Sequence, residues 1–325
     1  MLSGERRSGK SDCREQAEGR RQGLEAHVLT YHAMKGALIV HGGCGTPPNG
    51  EEAPRNEACE RAAELGWQVL RSGGSALDAA EVAVRRLEDE PLLNAGTGSY
   101  LQADGVARLD ASLMASDGRA GAVAQVPGLK NPVRLARYLL EQDAHIMLSG
   151  QEALQLALRL GHEAAVVATP GKIAYWQENL REAYLRLDYA AMGADWKTDN
   201  PRRLGTVGCV CLDATGRLAA ATSTGGTGQC YPGRVGDTPI LGAGTYCTPQ
   251  VGVSMTGVGE RIMILLSSKR LADLVADGRA PEDAAAVVMA ELDRVNGAAG
   301  LIALTADGAF VERRNTPFMA SARRS

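Results

Sequence analysis

Two apolar runs joined by a tight turn constrain this chain most. Val207-Gly-Cys-Val-Cys-Leu212 and Arg217-Leu-Ala-Ala-Ala-Thr-Ser-Thr224 flank Asp213-Ala-Thr-Gly216. Short β-branched and small apolar runs around an Asp/Gly turn read as a β-hairpin. Pairing the runs places Thr206 and Thr224 at the same end of neighbouring strands. Helical patterns surround the hairpin, at 55–72, 76–89, 131–142, 150–161, 260–276 and 281–294, with apolar residues at i, i+3 and i+4. Further strand patterns lie at 37–41, 101–113, 120–126, 251–255, 300–304 and 310–313. Strands among long helices imply an α/β chain whose helical layers cover sheets.

Aromatic residues make up only 4% of the chain, so its core must be built from Ala, Val and Leu. The 39 glycines cluster with Thr, Ser, Asn and Asp, as tight turns and close backbone approach to a ligand require. A net charge of −3 favours neither nucleic acid nor an anionic membrane surface. No apolar run reaches the roughly 18 residues that a spanning helix needs. Seven scattered cysteines without a Cys-x-x-Cys argue against a disulfide framework or a zinc site, and for a reducing, cytoplasmic setting.

Residues 1–33 are polar, of mixed charge and aperiodic, and read as a disordered extension, with Met34 a candidate start. Gly4-Glu-Arg-Arg-Ser-Gly9-Lys10-Ser11 matches a phosphate-binding loop by letter. It lacks the preceding buried strand and following helix that would aim N–H groups at phosphate. Residues 163–205 read as an exposed connection with a charged helical piece at 176–192. So long a surface segment points to function or processing.

Polar residues concentrate from 205 to 260. Thr206 and Thr224 are followed by Gly233-Arg234-Val-Gly236-Asp237, Gly242-Ala-Gly-Thr-Tyr and Met255-Thr256-Gly257-Val-Gly259-Glu260. No histidine follows Thr206, so a Ser-His or Cys-His nucleophile would have to borrow His41, His145 or His162. A threonine hydroxyl becomes a useful nucleophile when its own α-amine is free, because that amine has a pKa of ~7.7–8.0 and can take the proton. This requires a cut before the threonine, and a connection ending in Gly205-Thr206 suits one. Taken singly, Thr206 would be a strand residue, Arg234 and Asp237 a surface pair and Asn94 a turn residue. His41 reads as a satisfied buried histidine, and Cys209 and Cys211 as small core residues on one strand face.

Gly-Thr-Val-Gly, Ala-Ala-Ala-Thr-Ser-Thr-Gly-Gly, Pro-Gly-Arg-Val-Gly-Asp, Gly-Ala-Gly-Thr-Tyr and Thr-Gly-x-Gly-Glu occur in order. Upstream stand Val-His41-Gly-Gly, Pro91-Leu-Leu-Asn-Ala-Gly, Leu109-Asp-Ala-Ser-Leu-Met and Lys130-Asn-Pro-Val. Together they resemble the plant-type asparaginases, or isoaspartyl (β-aspartyl) peptidases, of the N-terminal nucleophile hydrolases. The resemblance covers residues 36–320 and implies an αββα sandwich. It implies self-cleavage after Gly205, giving an α subunit (34–205) and a β subunit (206–325) in a dimer of αβ units, a heterotetramer. Thr206 matches the nucleophile and Thr224 its hydroxyl partner. Arg234 matches the grip on the substrate α-carboxylate and Asp237 that on its α-ammonium. Thr256 and Gly257 match the oxyanion hole, Gly259 a backbone contact to the substrate, and Asn94 a residue close to the nucleophile.

The resemblance further implies no required cofactor, but a structural sodium ion held mainly by main-chain oxygens of Leu87, Glu88, Glu90, Leu93, Ala95 and Thr97. The implied substrates are L-asparagine and β-aspartyl dipeptides, hydrolysed to L-aspartate. Three departures stand out: Gln229-Cys230 for the usual Asn-Lys, a longer Met114-Ala-Ser-Asp-Gly turn, and Asn315-Thr-Pro-Phe-Met. Alternatives are a glycosylasparaginase, a threonine protease of the same fold, or a catalytically silent homologue that binds an amino acid.

Overall fold

A computed structural model describes residues 36–48, 50–186 and 205–325. The expected extension over 1–33 and residues 187–204 of the expected connection lie outside the described residues. In chain order the strands are β1 (Ala37–Gly45), β2 (Arg108–Ala115), β3 (Ala120–Pro127), β4 (Met147–Ser149), β5 (Val207–Leu212), β6 (Leu218–Thr224), β7 (Thr245–Cys247), β8 (Val251–Gly257), β9 (Ala299–Thr305), β10 (Phe310–Arg314) and β11 (Phe318–Arg324). The helices are α1 (Glu52–Arg71), α2 (Ala76–Glu88), α3 (Pro132–Gln142), α4 (Gly150–Arg159), α5 (Pro170–Arg186), α6 (Gly259–Leu265), α7 (Ser267–Ala276) and α8 (Pro281–Arg294). The strands form a seven-stranded sheet, β11-β1-β5-β6-β2-β3-β4, and a four-stranded sheet, β10-β9-β8-β7. The chain is thus α/β, as the patterning implied.

Period-two alternation divides the residues between the layers. In β5 and β6, Val207, Cys209, Cys211, Ala219 and Ala221 join a core with Ala62, Ala79, Val84 and Leu87 of α1 and α2. Their neighbours Val210, Leu212, Leu218 and Ala220 face the other way and pack with Ile302 and Leu304 of β9. A third core, including Val253, Met255, Leu271 and Val288, joins β8 to α7 and α8. The faces between the two sheets change character along the strands. One end is apolar. Towards the other end the same faces carry Thr222 and Ser112 of the large sheet and Ser254 of β8, all fully buried. The site lies at that polar end.

Local signals account for several helix starts. Ser75 and Asp78 form a reciprocal capping box at α2, and proline opens α3 and α8. The structure corrects the expected patterns in two places. Residues 101–107 are not strand. Gly105, at φ +79°, turns the chain, and Leu101 and Ala103 bond the main chain of Gln229 and Cys230 instead of a ladder. The single helix expected at 260–276 is two helices, because Leu266 takes a left-handed conformation at φ +47°. The break lets Ser268 and Lys269 donate main-chain hydrogen bonds to the carbonyls of Ala243 and Gly242. The expected helical piece at 176–192 begins earlier, at Pro170.

The packing of α3 on the large sheet depends on Gly121, whose missing Cβ would run into the Ala136 carbonyl of α3. Gly121→Ala should therefore force helix and sheet apart and destabilise the fold by ~1–3 kcal/mol. An unchanged urea midpoint would show that the contact is not close.

Candidate active site

The hairpin register places Val207 opposite Ser223, so one further step brings Thr206 beside Thr224. Their hydroxyls meet: Thr206 Oγ1 donates to Thr224 Oγ1 at 3.0 Å. Thr224 Oγ1 also accepts the Gly226 N–H at 3.1 Å. Both threonines are buried, Thr206 9% and Thr224 4% exposed. Gly205, just before the pair, is closely enclosed. A Cβ on Gly205 would lie 2.8 Å from Cβ of Asn94, and one on Gly43 would strike Gly205 itself. Asn94 donates its main-chain N–H to the Gly205 carbonyl at 3.0 Å. Its side chain donates to the Gly226 carbonyl at 2.6 Å and accepts the Tyr100 N–H at 3.0 Å. Asn94 therefore fixes the Gly205 carbonyl, and its side-chain amide ties together the loops beside Thr224.

Arg234 and Asp237 come together where Gly259 opens α6. A Cβ at Gly259 would lie 2.7 Å from Asp237 Oδ1 and 2.9 Å from Arg234 Nη2. Only glycine allows that approach. Arg234 donates through Nε and Nη2 to the two carboxylate oxygens of Glu260, each at 2.9 Å. This clamp fixes one edge of the guanidinium. Nη1 lies near Gly226 and Gly236, whose missing side chains leave room beside it. Asp237 is buried, and its Oδ2 has no hydrogen-bond partner. Burial raises its carboxyl to about 7, against the opposing pull of Arg234. On β8, Thr256 Oγ1 is likewise buried without a partner, and Gly257 follows at φ +144°. The site thus offers a buried hydroxyl pair, a fixed cation, a carboxyl with one oxygen that lacks a partner and a hydroxyl that lacks one.

Residues 34–325 match the family model described as Asparaginase. The chain belongs to the asparaginase family. It is 40% identical over 284 residues to a human protein named isoaspartyl peptidase/L-asparaginase, covering 86% of this chain and 90% of the relative. It is 39% identical over 293 residues to the plant-type L-asparaginase of Pyrococcus horikoshii, covering 88% and 95%. The isoaspartyl peptidase of Escherichia coli is 38% identical over 299 residues, covering 88% and 91%.

Two features of this asparaginase-family site escaped the sequence reading. One is the Glu260 clamp. Both residues stood in recognised motifs, but nothing in a spacing of 26 positions shows that they pair. The other is a chain of buried hydroxyls between the sheets. His41 Nε2 meets Ser254 Oγ at 2.9 Å, and Ser254 meets Thr222 at 2.7 Å. Thr222 meets Thr245 at 2.6 Å, Thr245 meets Ser112 at 2.7 Å, and Ser112 donates to the Thr238 carbonyl at 2.6 Å. Thr245 Oγ1 donates to Thr222 Oγ1, and Thr222 Oγ1 has a further acceptor in the Gly244 carbonyl at 3.3 Å. His41 is the buried, bonded histidine that the sequence implied. The alternation of β5 also puts Cys209 and Cys211 on one face, their sulfurs 3.4 Å apart.

Burial lowers His41 to about 3, against the contrary pull of a main-chain contact with Thr206. The ring should therefore stay neutral from pH 5 to pH 8. Nitrogen chemical shifts of labelled histidine would check this. A His41 titration near the ordinary value of ~6.5 would show that the ring is not buried as described.

Proposed function

We propose that this chain cleaves itself after Gly205 and then, with Thr206 as nucleophile, hydrolyses L-asparagine and β-aspartyl dipeptides to L-aspartate. The observation that carries the proposal is the buried Thr206–Thr224 hydroxyl contact directly after Gly205, beside a fixed arginine and a carboxyl with one unpartnered oxygen. The names of the human and Escherichia coli relatives support the substrate class.

In the proposed cleavage, Thr206 Oγ attacks the Gly205 carbonyl carbon. The Gly205–Thr206 C–N bond breaks as an ester forms. The Asn94 N–H on that carbonyl oxygen favours the charge that develops there. Water then splits the ester, leaving a Gly205 carboxylate, a Thr206 hydroxyl and a free α-amine.

In turnover, the free edge of Arg234 takes the substrate α-carboxylate, and ionised Asp237 takes its α-ammonium. The β-carbonyl is left facing Thr206. The α-amine accepts the hydroxyl proton as Oγ attacks, and the proton passes to the departing ammonia or amine. Thr256 Oγ1 and the Gly257 N–H stabilise the oxyanion. Water releases aspartate and restores the hydroxyl.

The proposal extends to architecture. Helices against the outer face of each sheet, with polar and apolar stretches between the sheets, support an αββα sandwich of the N-terminal nucleophile type. Residues 34–205 and 206–325 would be its subunits, in a dimer of αβ units. The loop at 87–97 fits a structural monovalent cation such as sodium. Gly96 and Gly98 adopt positive φ, and a Cβ at Gly98 would strike the carbonyl oxygens of Pro91 and Leu93. Main-chain oxygens therefore crowd this loop. Leu87, Glu88, Glu90, Leu93, Ala95 and Thr97 would hold the ion, which would order the loop bearing Asn94. Among the described residues no helix is long and apolar enough to cross a membrane. The described cysteines are free thiols, which supports a cytoplasmic setting.

Thr206→Ala should give one uncut, inactive chain on a denaturing gel, whereas the native chain should resolve after incubation into two fragments starting at residues 1 and 206. Cleavage of the variant, or a new N-terminus elsewhere, would end this reading. The second expectation concerns pH. Asp237 must be ionised to bind an ammonium, and its carboxyl titrates near 7. kcat/KM should therefore carry an Asp237 limb near pH 7, in addition to that of the Thr206 α-amine at ~7.7–8.0. In the complex the bound ammonium lowers the Asp237 pKa, so the Asp237 limb should be absent from kcat. Asp237→Asn should remove that limb from kcat/KM. An unchanged profile in this variant would place the group elsewhere.

A further inference from the structure

The Leu-Asp-Ala-Ser-Leu-Met motif has no role in the chemistry above, yet its aspartate lies beneath the arginine. Asp110 stands opposite Thr224 in the β2–β6 ladder. The register of β2 against β3 breaks there, between Leu109 and Ala111. Asp110 is fully buried. Its Oδ1 accepts the Gln125 main-chain N–H at 2.7 Å, while Oδ2 has no partner within hydrogen-bond geometry. Gln125 lies inside a strand at φ +56°, a conformation that costs a side-chain-bearing residue free energy. A carboxylate with an unbonded oxygen is a second buried cost.

Both costs converge on the segment that carries Arg234. Gln125 Nε2 donates to the Arg234 carbonyl at 2.6 Å. Gln102 Nε2 donates to Gln125 Oε1 at 2.8 Å, and Gln102 Oε1 accepts the Gly233 N–H at 3.1 Å. Arg108 donates to that same Gln102 oxygen at 2.7 Å and is held by Asp104. Burial raises the Asp110 carboxyl to about 6, against the Gln125 amide, the Arg234 charge and the Gly236 amide, which favour its ionised form. The 233–236 turn is thus held at its main chain by residues that precede Gly205. Within the turn, the Arg234 N–H bonds the Tyr231 carbonyl at 3.0 Å and Gly233 sits at φ +89°, while the Glu260 clamp holds the guanidinium.

We propose that Asp110, acting through Gln125 and Gln102, is a positioning residue that holds the main chain of the 233–236 turn so that Arg234 meets the substrate α-carboxylate. The assignment rests on the head-group role proposed above for Arg234. The network does not touch the reacting atoms. It acts on the ground state and the transition state alike, and its loss should appear in KM rather than in kcat.

The test uses the full chain after cleavage, with Asp110→Asn and Gln125→Leu measured separately. Gln125→Leu removes the donor to the Arg234 carbonyl and leaves Asp110 in place, so it carries the test if Asp110→Asn does not fold. In each folded variant KM for L-asparagine and the inhibition constant of L-aspartate should rise about tenfold, with kcat within about threefold. In an Arg234→Lys background, Asp110→Asn should add less than about twofold, because the group it positions is gone. An unchanged KM in the folded variants, a loss confined to kcat, or full multiplication in the Arg234→Lys background would overturn the proposal. A cleaved wild-type chain inactive towards both L-asparagine and a β-aspartyl dipeptide would instead overturn the reading of the site, and this proposal with it.

Discussion

The proposed chemistry depends on one hydroxyl-to-hydroxyl contact, between Thr206 and Thr224. The contact exists because β5 and β6 pair in a single register. That register is fixed on both faces. A slip of one residue would turn Val207, Cys209 and Cys211 away from the helices and bring Gly208 out from between the sheets. Gly208 cannot be replaced in place, because a Cβ there would strike Ser254 Oγ and lie 2.5 Å from His41 Nε2. The geometry of the Thr206–Thr224 pair is therefore a consequence of core packing.

The space between the sheets explains why the site lies at one end of the strands. Apolar side chains fill the far end. At the near end, buried hydroxyls bond to one another and leave few groups unsatisfied. The exceptions are informative. Thr256 Oγ1, Asp237 Oδ2 and Asp110 Oδ2 are buried without partners, alongside His41 Nδ1, Ser223 Oγ and Thr238 Oγ1. In the proposed function, substrate supplies the missing partner of Asp237, and the oxyanion supplies that of Thr256.

The sequence showed most of this where the signal was local. The hairpin around 213–216, the glycines at close approaches and the order of motifs placed Thr206, Thr224, Arg234, Asp237 and Gly259 in one site. Signals failed where tertiary contacts overrode pattern. Residues 101–107 have strand-like composition, but their main chain serves the 229–230 segment. The 260–276 stretch is helical by period, but it breaks at Leu266 so that α7 can bond the carbonyls of Gly242 and Ala243. The short strands β4 and β7, and β11 with its small and basic residues, lacked length or alternation. The Glu260 clamp and the Asp110–Gln125–Gln102 network join residues far apart in sequence, and a single sequence carries no signal for such pairs.

The central claim is that Thr206 acts only once it is an N-terminal residue. It is tested most directly by following freshly purified chain through incubation, measuring by intact mass the fraction cut after Gly205 and, on the same samples, the rate of L-asparagine hydrolysis. The account predicts that rate rises in proportion to the cut fraction and extrapolates to zero in uncut chain. A substantial rate at zero cleavage, or full cleavage without activity towards L-asparagine or a β-aspartyl dipeptide, would contradict it.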